Sequence, residues 1–194
     1  MTQLWLARHG ETEWSKSGAH TGRTDLPLTD AGRANASAMA PFLAGRRFCL
    51  VLTSPLSRAR ETCRLAGLGD AAEVDPNLSE WDYGDYEGRT TADIQKEVPN
   101  WSLWVSGVPH GETIDQVAAR AESVMARALR VDGDVEGDVA LFAHGHILRI
   151  LTACWLGLPP QAGRLFALGT ASLSTLGYER DTRVITRWNL SVSG

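Results

Sequence analysis

Two short apolar runs constrain this chain more than anything else in it. Leu4-Trp5-Leu6-Ala7 breaks off at Arg8-His9-Gly10, and Val139-Ala140-Leu141-Phe142-Ala143 breaks off at His144-Gly145-His146. A brief apolar run bounded by turn signals reads as a buried strand. In an open α/β sheet, ligands bind in the crevice beyond the carboxyl ends of the strands. If these two strands are neighbours in one parallel sheet, His9 and His144 meet at the same edge, together with the cation of Arg8.

The remaining periodicities supply the rest of such a sheet. Cys49 to Thr53 is a further strand ending at Ser54-Pro55, a short one lies near Glu73-Val74-Asp75, and Leu173 to Tyr178 with Arg183 to Trp188 form a closing hairpin around Glu179-Arg180-Asp181. Helical patterns stand between them. One starts at Thr29 or Asp30 and is expected to kink or end at Pro41; others cover Leu56 to Ala66, residues 90–107, and Ile147 to Trp155. The longest opens on the capping box of Thr113 and Gln116, with Ile114, Val117, Ala118, Ala121, Val124, Met125, Ala128 and Leu129 on one face. The turn-rich acidic link Asp132-Gly133-Asp134, Glu136-Gly137-Asp138 leads from it into the strand before His144. This alternation predicts an α/β fold, a three-layer α/β/α sandwich with a mostly parallel central sheet. The 194 residues, 43% of them hydrophobic and 22% charged, suit a single domain over 1–194.

Charge and cysteine usage narrow the setting. A net charge of −4 argues against nucleic acid or an anionic membrane as a general partner. The three cysteines, Cys49, Cys63 and Cys154, form no Cys-x-x-Cys and read as free thiols of a reducing compartment. With no leader pattern at the start and no long apolar stretch, a cytoplasmic protein is expected. The tryptophans leave a homodimer open.

Three further segments carry chemistry. The polar loop Glu11 to Leu28 brings Ser15, Lys16, His20, Thr21 and Arg23 beside the first strand end, and loops of this length are often functional. Arg58 falls in the first turn of a helix, where a cation opposes the macrodipole and a bound anion gives it a reason. The segment Leu78 to Gly88 interleaves Glu80, Asp82, Asp85 and Glu87 with Trp81, Tyr83 and Tyr86. A phosphoryl group needs several fixed donors and an in-line nucleophile. Arg8, Arg58, His144 and the backbone N–H groups of the helix after His144 supply donors, leaving His9 as nucleophile. Flanking arginines favour its neutral, attacking form. Glu80, beside Trp81, is the expected proton donor, held protonated by its partly apolar loop.

Four segments in this order, Arg8-His9-Gly10-Glu11-Thr12, Ser54-Pro55-Leu56-Ser57-Arg58-Ala59, Glu80-Trp81-Asp82-Tyr83-Gly84 and Ala143-His144-Gly145, resemble the successive motifs of the histidine phosphatase superfamily in its phosphoglycerate-mutase-like branch. The resemblance covers about residues 3–190. It implies a phosphoglycerate-mutase-like fold, His9 as the phosphorylated nucleophile, Arg8, Arg58 and His144 as the phosphate pocket, Glu80 as proton donor, and no metal or other cofactor. His144-x-His146 has no acidic or thiol partner at a spacing that suits a metal. The mutases of the family carry a longer basic insertion after the acidic loop. Here residues 89–112 offer only Arg89 and Lys96 against Asp93, Glu97 and Glu112, so a phosphatase is expected ahead of a phosphoglycerate mutase or a non-catalytic phospholigand-binding protein. The fuller motifs look most like sedoheptulose-1,7-bisphosphatases and small bacterial broad-specificity acid phosphatases, which implies a small phosphorylated metabolite as substrate, sugar phosphates foremost. On that likeness Ser15, Thr21, Gly22 and Gly145 belong with the phosphate, and Lys16, Arg23, Tyr83 and His146 with the rest of the substrate.

Overall fold

A computed structural model describes residues 2–130 and 137–192. Its sheet has six strands, β1 (Leu4–Arg8), β2 (Phe48–Thr53), β3 (Ala72–Val74), β4 (Asp138–Ala143), β5 (Ser172–Glu179) and β6 (Thr182–Ser191), in the order β3-β2-β4-β1-β5-β6. β1, β2, β3 and β4 run parallel, while β5 is antiparallel to both β1 and β6. The sheet is therefore mostly parallel, with the expected hairpin closing one side.

The two histidine-ending strands are neighbours. Leu4 pairs with Val139 and Arg8 with Ala143, so β1 and β4 stop level, and the His9 amide donates to the Ala143 carbonyl at 3.0 Å. β2 stops there too, since the Ser54 amide donates to the Phe142 carbonyl at 2.9 Å. Three strand ends thus share one edge.

Alternation along these strands divides the core into two layers. Leu4 and Leu6, with Val139 and Leu141, pack against α7 (Ile114–Arg130) and α8 (Gly145–Trp155), chiefly through Val117, Ala121, Val124, Ile147 and Leu151. Trp5 and Ala7, with Ala140 and Phe142, face Met39 and Leu43 and also Cys63 and Ala66, around α2 (Asp30–Ser37), α3 (Ala40–Leu43) and α4 (Ser57–Leu65). This is the three-layer α/β/α arrangement, and both faces of the central strands are buried because both residue parities are apolar.

Local departures from the sequence reading have local causes. The loop 11–28 contains a helix, α1 (Glu13–Ser17), whose N-cap Thr12 accepts from the Ser15 amide while Ser15 Oγ accepts from the Thr12 amide, and which Gly18 ends in the left-handed region at φ 79°. Pro41 does not kink a continuous helix: α2 ends at Ser37, and Pro41 sits in the first turn of α3, where its missing N–H costs nothing. The stretch 90–107 splits at Pro99 into α5 (Thr91–Glu97) and α6 (Leu103–Ser106). Residues 132–136 of the acidic link lie outside the described residues. No helix among the described residues is long and apolar enough to cross a membrane. All three cysteines are free thiols.

The turn after β1 is fixed by close approach. A Cβ on Gly10 would lie 2.4 Å from the Gly32 carbonyl oxygen, and one on Gly32 would lie 2.2 Å from that of Glu11. Glycine at both places lets the start of α2 press against the Arg8-His9-Gly10 turn, where the Thr29 amide donates to the Glu11 carbonyl at 2.9 Å.

Candidate active site

The shared strand edge opens into a cavity of about 440 Å³, lined at its base by Arg8, His9, Glu80 and Gly145. His9 is buried, and its Nδ1 lies 2.7 Å from the Gly10 carbonyl. A carbonyl only accepts, so Nδ1 carries the proton and Nε2 keeps its lone pair. Burial, then the charges of Arg8 and Arg58, lower the His9 pKa to about 3, which leaves the ring neutral at any ordinary pH.

Arg8 leaves β1 at the same edge. One guanidinium nitrogen donates to the Leu168 carbonyl, while the buried Nε has no partner among the described residues. An unmet buried N–H at a cavity base is a donor available to a ligand.

Arg58 and His144 stand behind His9 and are fully buried. Arg58 Nε donates to His144 Nδ1 at 3.1 Å, Nη1 to the Thr24 carbonyl at 2.9 Å, and Nη2 to the Thr21 and Gly22 carbonyls at 3.1 and 3.0 Å. Its acceptance at Nδ1 places the His144 proton on Nε2, which donates to Ser54 Oγ at 2.8 Å. The His144 ring centroid is 5.1 Å from that of His9. Burial, then Arg58 and His9, keep His144 well below the usual imidazole range. Arg58 so placed fastens the 21–24 loop to the catalytic edge as well as lending its charge to it.

The start of α8 differs from the sequence reading. Its second and third amides do not stand open for phosphate: the His146 amide donates to Glu80 Oε2 and the Ile147 amide to Oε1, each at 3.0 Å, and the Trp81 amide also reaches Oε1 at 3.0 Å. Glu80 is therefore the anionic cap of α8, favoured by the helix dipole. Burial alone raises its pKa, but the hydrogen bonds it accepts, those of His146 foremost, hold it well below the ordinary carboxylate range. The expectation of a protonated Glu80 is thus corrected for the unliganded state; three amide donors stabilise the carboxylate more than burial disfavours it.

The remaining sequence candidates divide. Tyr83 Oη lies 2.7 Å from His146 Nδ1, and both side chains line the cavity. Thr21 lines it, as does Ser15, although Ser15 Oγ is engaged in capping α1. Gly145 packs against Arg8: a Cβ there would lie 3.4 Å from Cζ. Lys16, Gly22 and Arg23 are not brought to this cavity. Lys16 is exposed on α1; the Gly22 amide donates to Glu87; Arg23 pairs with Asp82 at 2.8 Å, its side chain 81% exposed. His20, from the same polar loop, lines the wall with Trp101 and Trp104, and so does Arg149, which the sequence did not single out. The His20 ring centroid lies 4.8 Å from that of Tyr83, tilted, and 5.6 Å from that of Trp101, edge to face. Arg149 was legible only as the residue four beyond Gly145, on the same helical face.

Buried neutral imidazoles make stability pH-dependent. His9 and His20 have pKa values lowered to about 3 and about 4, in both cases by burial first. Below about 6.5 the unfolded chain binds protons that these folded rings refuse, so stability present above that pH is lost as it falls toward the folded values. Between pH 8 and pH 5 the loss is expected to be about 2 kcal/mol for each ring, from about 1.4 kcal/mol per unit over 1.5 units. Urea unfolding at the two values checks this; an unchanged midpoint would contradict it.

A model of the histidine phosphatase superfamily (branch 1) matches residues 4–191. The chain belongs to this superfamily, and its reaction class is phosphomonoester hydrolysis. It is 42% identical over 183 residues to an acid phosphatase of Mycobacterium tuberculosis, covering 93% of this chain and 89% of that one. It is 40% identical over 185 residues to the sedoheptulose 1,7-bisphosphatase of Saccharomyces cerevisiae, covering 80% and 68%. Among solved structures, that of a mycobacterial glucosyl-3-phosphoglycerate phosphatase superposes with a TM-score of 0.87 at 31% identity, over 98% of this chain and all of the other (100%).

Proposed function

We propose that this chain hydrolyses small phosphomonoesters, sugar phosphates foremost, in two displacements with a phosphohistidine at His9 between them. The observation that carries this is the His9 tautomer: Nδ1–H is committed to Gly10, and the Nε2 lone pair belongs to a ring lining the cavity beside the unmet Nε–H of Arg8. In the first displacement Nε2 bonds to phosphorus as the bond to the alcohol oxygen breaks, and the Glu80 carboxyl protonates the departing alkoxide. In the second, water bonds to phosphorus, its proton returns to Glu80, and the phosphorus–nitrogen bond breaks to release phosphate.

Glu80 has to gain a proton before the first step. A phosphate dianion beside it opposes its charge and raises its proton affinity, and a monoester entering as the monoanion brings the proton with it, since the second phosphate ionisation lies near pH 6. Mildly acidic conditions are therefore favourable. The relatives support the substrate class, through the bisphosphatase of a sugar and the phosphatase of a glucosylated phosphoglycerate. A panel of sugar phosphates and one aryl phosphate, assayed by release of inorganic phosphate at pH 5 to 6, tests the reading. Release from several members is expected; isomerisation without release would sink it.

A further inference from the structure

The turn that carries the nucleophile passes at once into a glycine, the residue with the widest backbone freedom. His9 itself is held at both of its backbone groups: its amide donates to the Ala143 carbonyl at 3.0 Å and its carbonyl accepts from the Ala171 amide at 2.9 Å. The ring is oriented by a different residue, since Nδ1 donates to the Gly10 carbonyl at 2.7 Å. The aim of the His9 ring is therefore only as well fixed as Gly10, and the Gly10 amide finds its acceptor outside the sheet.

That acceptor is Thr62 Oγ1, at 3.0 Å and 52 residues along the chain. Thr62 lies on α4, four residues after Arg58, and is fully buried. Its own hydroxyl proton goes to the Arg58 carbonyl at 2.7 Å, which leaves a lone pair for Gly10. The Gly10 N–H, the Thr62 hydroxyl and the Arg58 carbonyl thus form a chain in which each hydrogen bond polarises the next. It ties the turn bearing the nucleophile to the helix bearing the Arg58 guanidinium. The surroundings of Thr62 on α4 are otherwise apolar, with Ala59 and Cys63 buried beside it. A valine would fill the same volume, and a threonine that bonds back to the carbonyl four residues earlier tends to bend a helix, not to strengthen it. The hydroxyl answers to Gly10, whose buried N–H would otherwise be orphaned.

We infer that Thr62 is a positioning residue for the nucleophile: by pinning Gly10 it holds the His9 ring with its proton on Nδ1 and its Nε2 lone pair aimed at the phosphoryl group, in fixed relation to Arg58. The inference rests on the hydrolase reading and adds to it a residue that acts through His9, since Thr62 is not part of the cavity lining. In-line attack tolerates little misplacement; an error of about 1 Å costs on the order of 10²-fold in rate.

Thr62→Val and Thr62→Ser, beside the wild type, test it. Rapid quenching with para-nitrophenyl phosphate reads the rate at which His9 is phosphorylated, and competitive inhibition by inorganic phosphate reads the pocket without the chemical step. Thr62→Val is expected to slow phosphorylation by roughly 10²-fold while phosphate inhibits nearly as it does the wild type. Thr62→Ser, which keeps the hydroxyl, is expected to retain most of the rate. Thr62→Ala stands in for Thr62→Val should the latter not fold. Independently of any variant, nitrogen NMR of the histidine-labelled wild type is expected to place the His9 proton on Nδ1; a proton on Nε2 would overturn the inference. Phosphorylation of Thr62→Val at the wild-type rate, a Thr62→Ser variant as slow as Thr62→Val, or a loss of phosphate affinity in step with the loss of rate overturns it too, and leaves the hydrolase reading intact. A wild type that yields neither phosphohistidine nor inorganic phosphate overturns both.

Discussion

His9→Ala is expected to lower kcat for every phosphomonoester by on the order of 10⁴-fold or more, because no other group in the cavity can take its place as a nucleophile. Of the imidazoles nearby, His144 has Nδ1 occupied by Arg58 and Nε2 by Ser54, and it is fully buried behind His9. His146 has its Nδ1 against Tyr83. The substitution is expected to leave the fold standing. The His9 backbone amide keeps its bond to Ala143, and the side chain gives up only the contact with the Gly10 carbonyl. It also deletes a ring that resists protonation, so the variant is expected to lose less stability than the wild type between pH 8 and pH 5. Rapid quenching into alkali, in which a phosphohistidine persists, should recover phosphate bound to the wild-type chain and none on His9→Ala. Normal turnover by the variant would remove His9 from the mechanism.

That residue was legible in the sequence for a physical reason. A short run apolar at both parities must be buried on both faces, which places it inside a parallel sheet, and the first polar residues after such a run emerge at the sheet edge. β1 and β4 meet both conditions, so His9 and His144 come together as expected, with ring centroids 5.1 Å apart. What the sequence did not disclose depends on contacts between distant segments. The carboxylate of Glu80 caps a helix 66 residues later. Three of the four bonds of Arg58 to protein atoms reach carbonyls of the 21–24 loop, whose path no local pattern predicts. The same holds for Glu87, one of the acidic residues between Leu78 and Gly88, which accepts from the amides of Gly22 and Thr24 and so fixes that loop from the other side. α1 escaped notice because its reciprocal capping uses Ser15 at the place where glutamate or glutamine is the recognisable sign.

Glu80→Gln is expected to cost about 10² to 10⁴-fold in kcat/KM for alkyl phosphates, the usual worth of a general acid, and less for an aryl phosphate whose leaving oxygen needs no proton. The second displacement has no such escape. Water attacking the phosphohistidine must give up a proton whichever alcohol has left, so an aryl phosphate is expected to release about one phenol per active site in a fast phase and then turn over slowly. The wild type should lose activity toward alkaline pH as Glu80 in the complex deprotonates; Glu80→Gln should lack that limb. Both effects are chemical and distinct from the structural one. In the unliganded fold the carboxylate accepts from three amides, and a glutamine has only one oxygen with which to replace the pair. The start of α8 should therefore loosen, and the acid side of the stability profile should flatten. A folded-state pKa held well below the ordinary value contributes stability that is present above about 4.5 and lost as pH falls beneath it, and the amide has no such dependence. If Glu80→Gln showed equal losses for alkyl and aryl esters and no fast phase, while destabilising α8, Glu80 would be a cap alone and the proton would have to come from elsewhere.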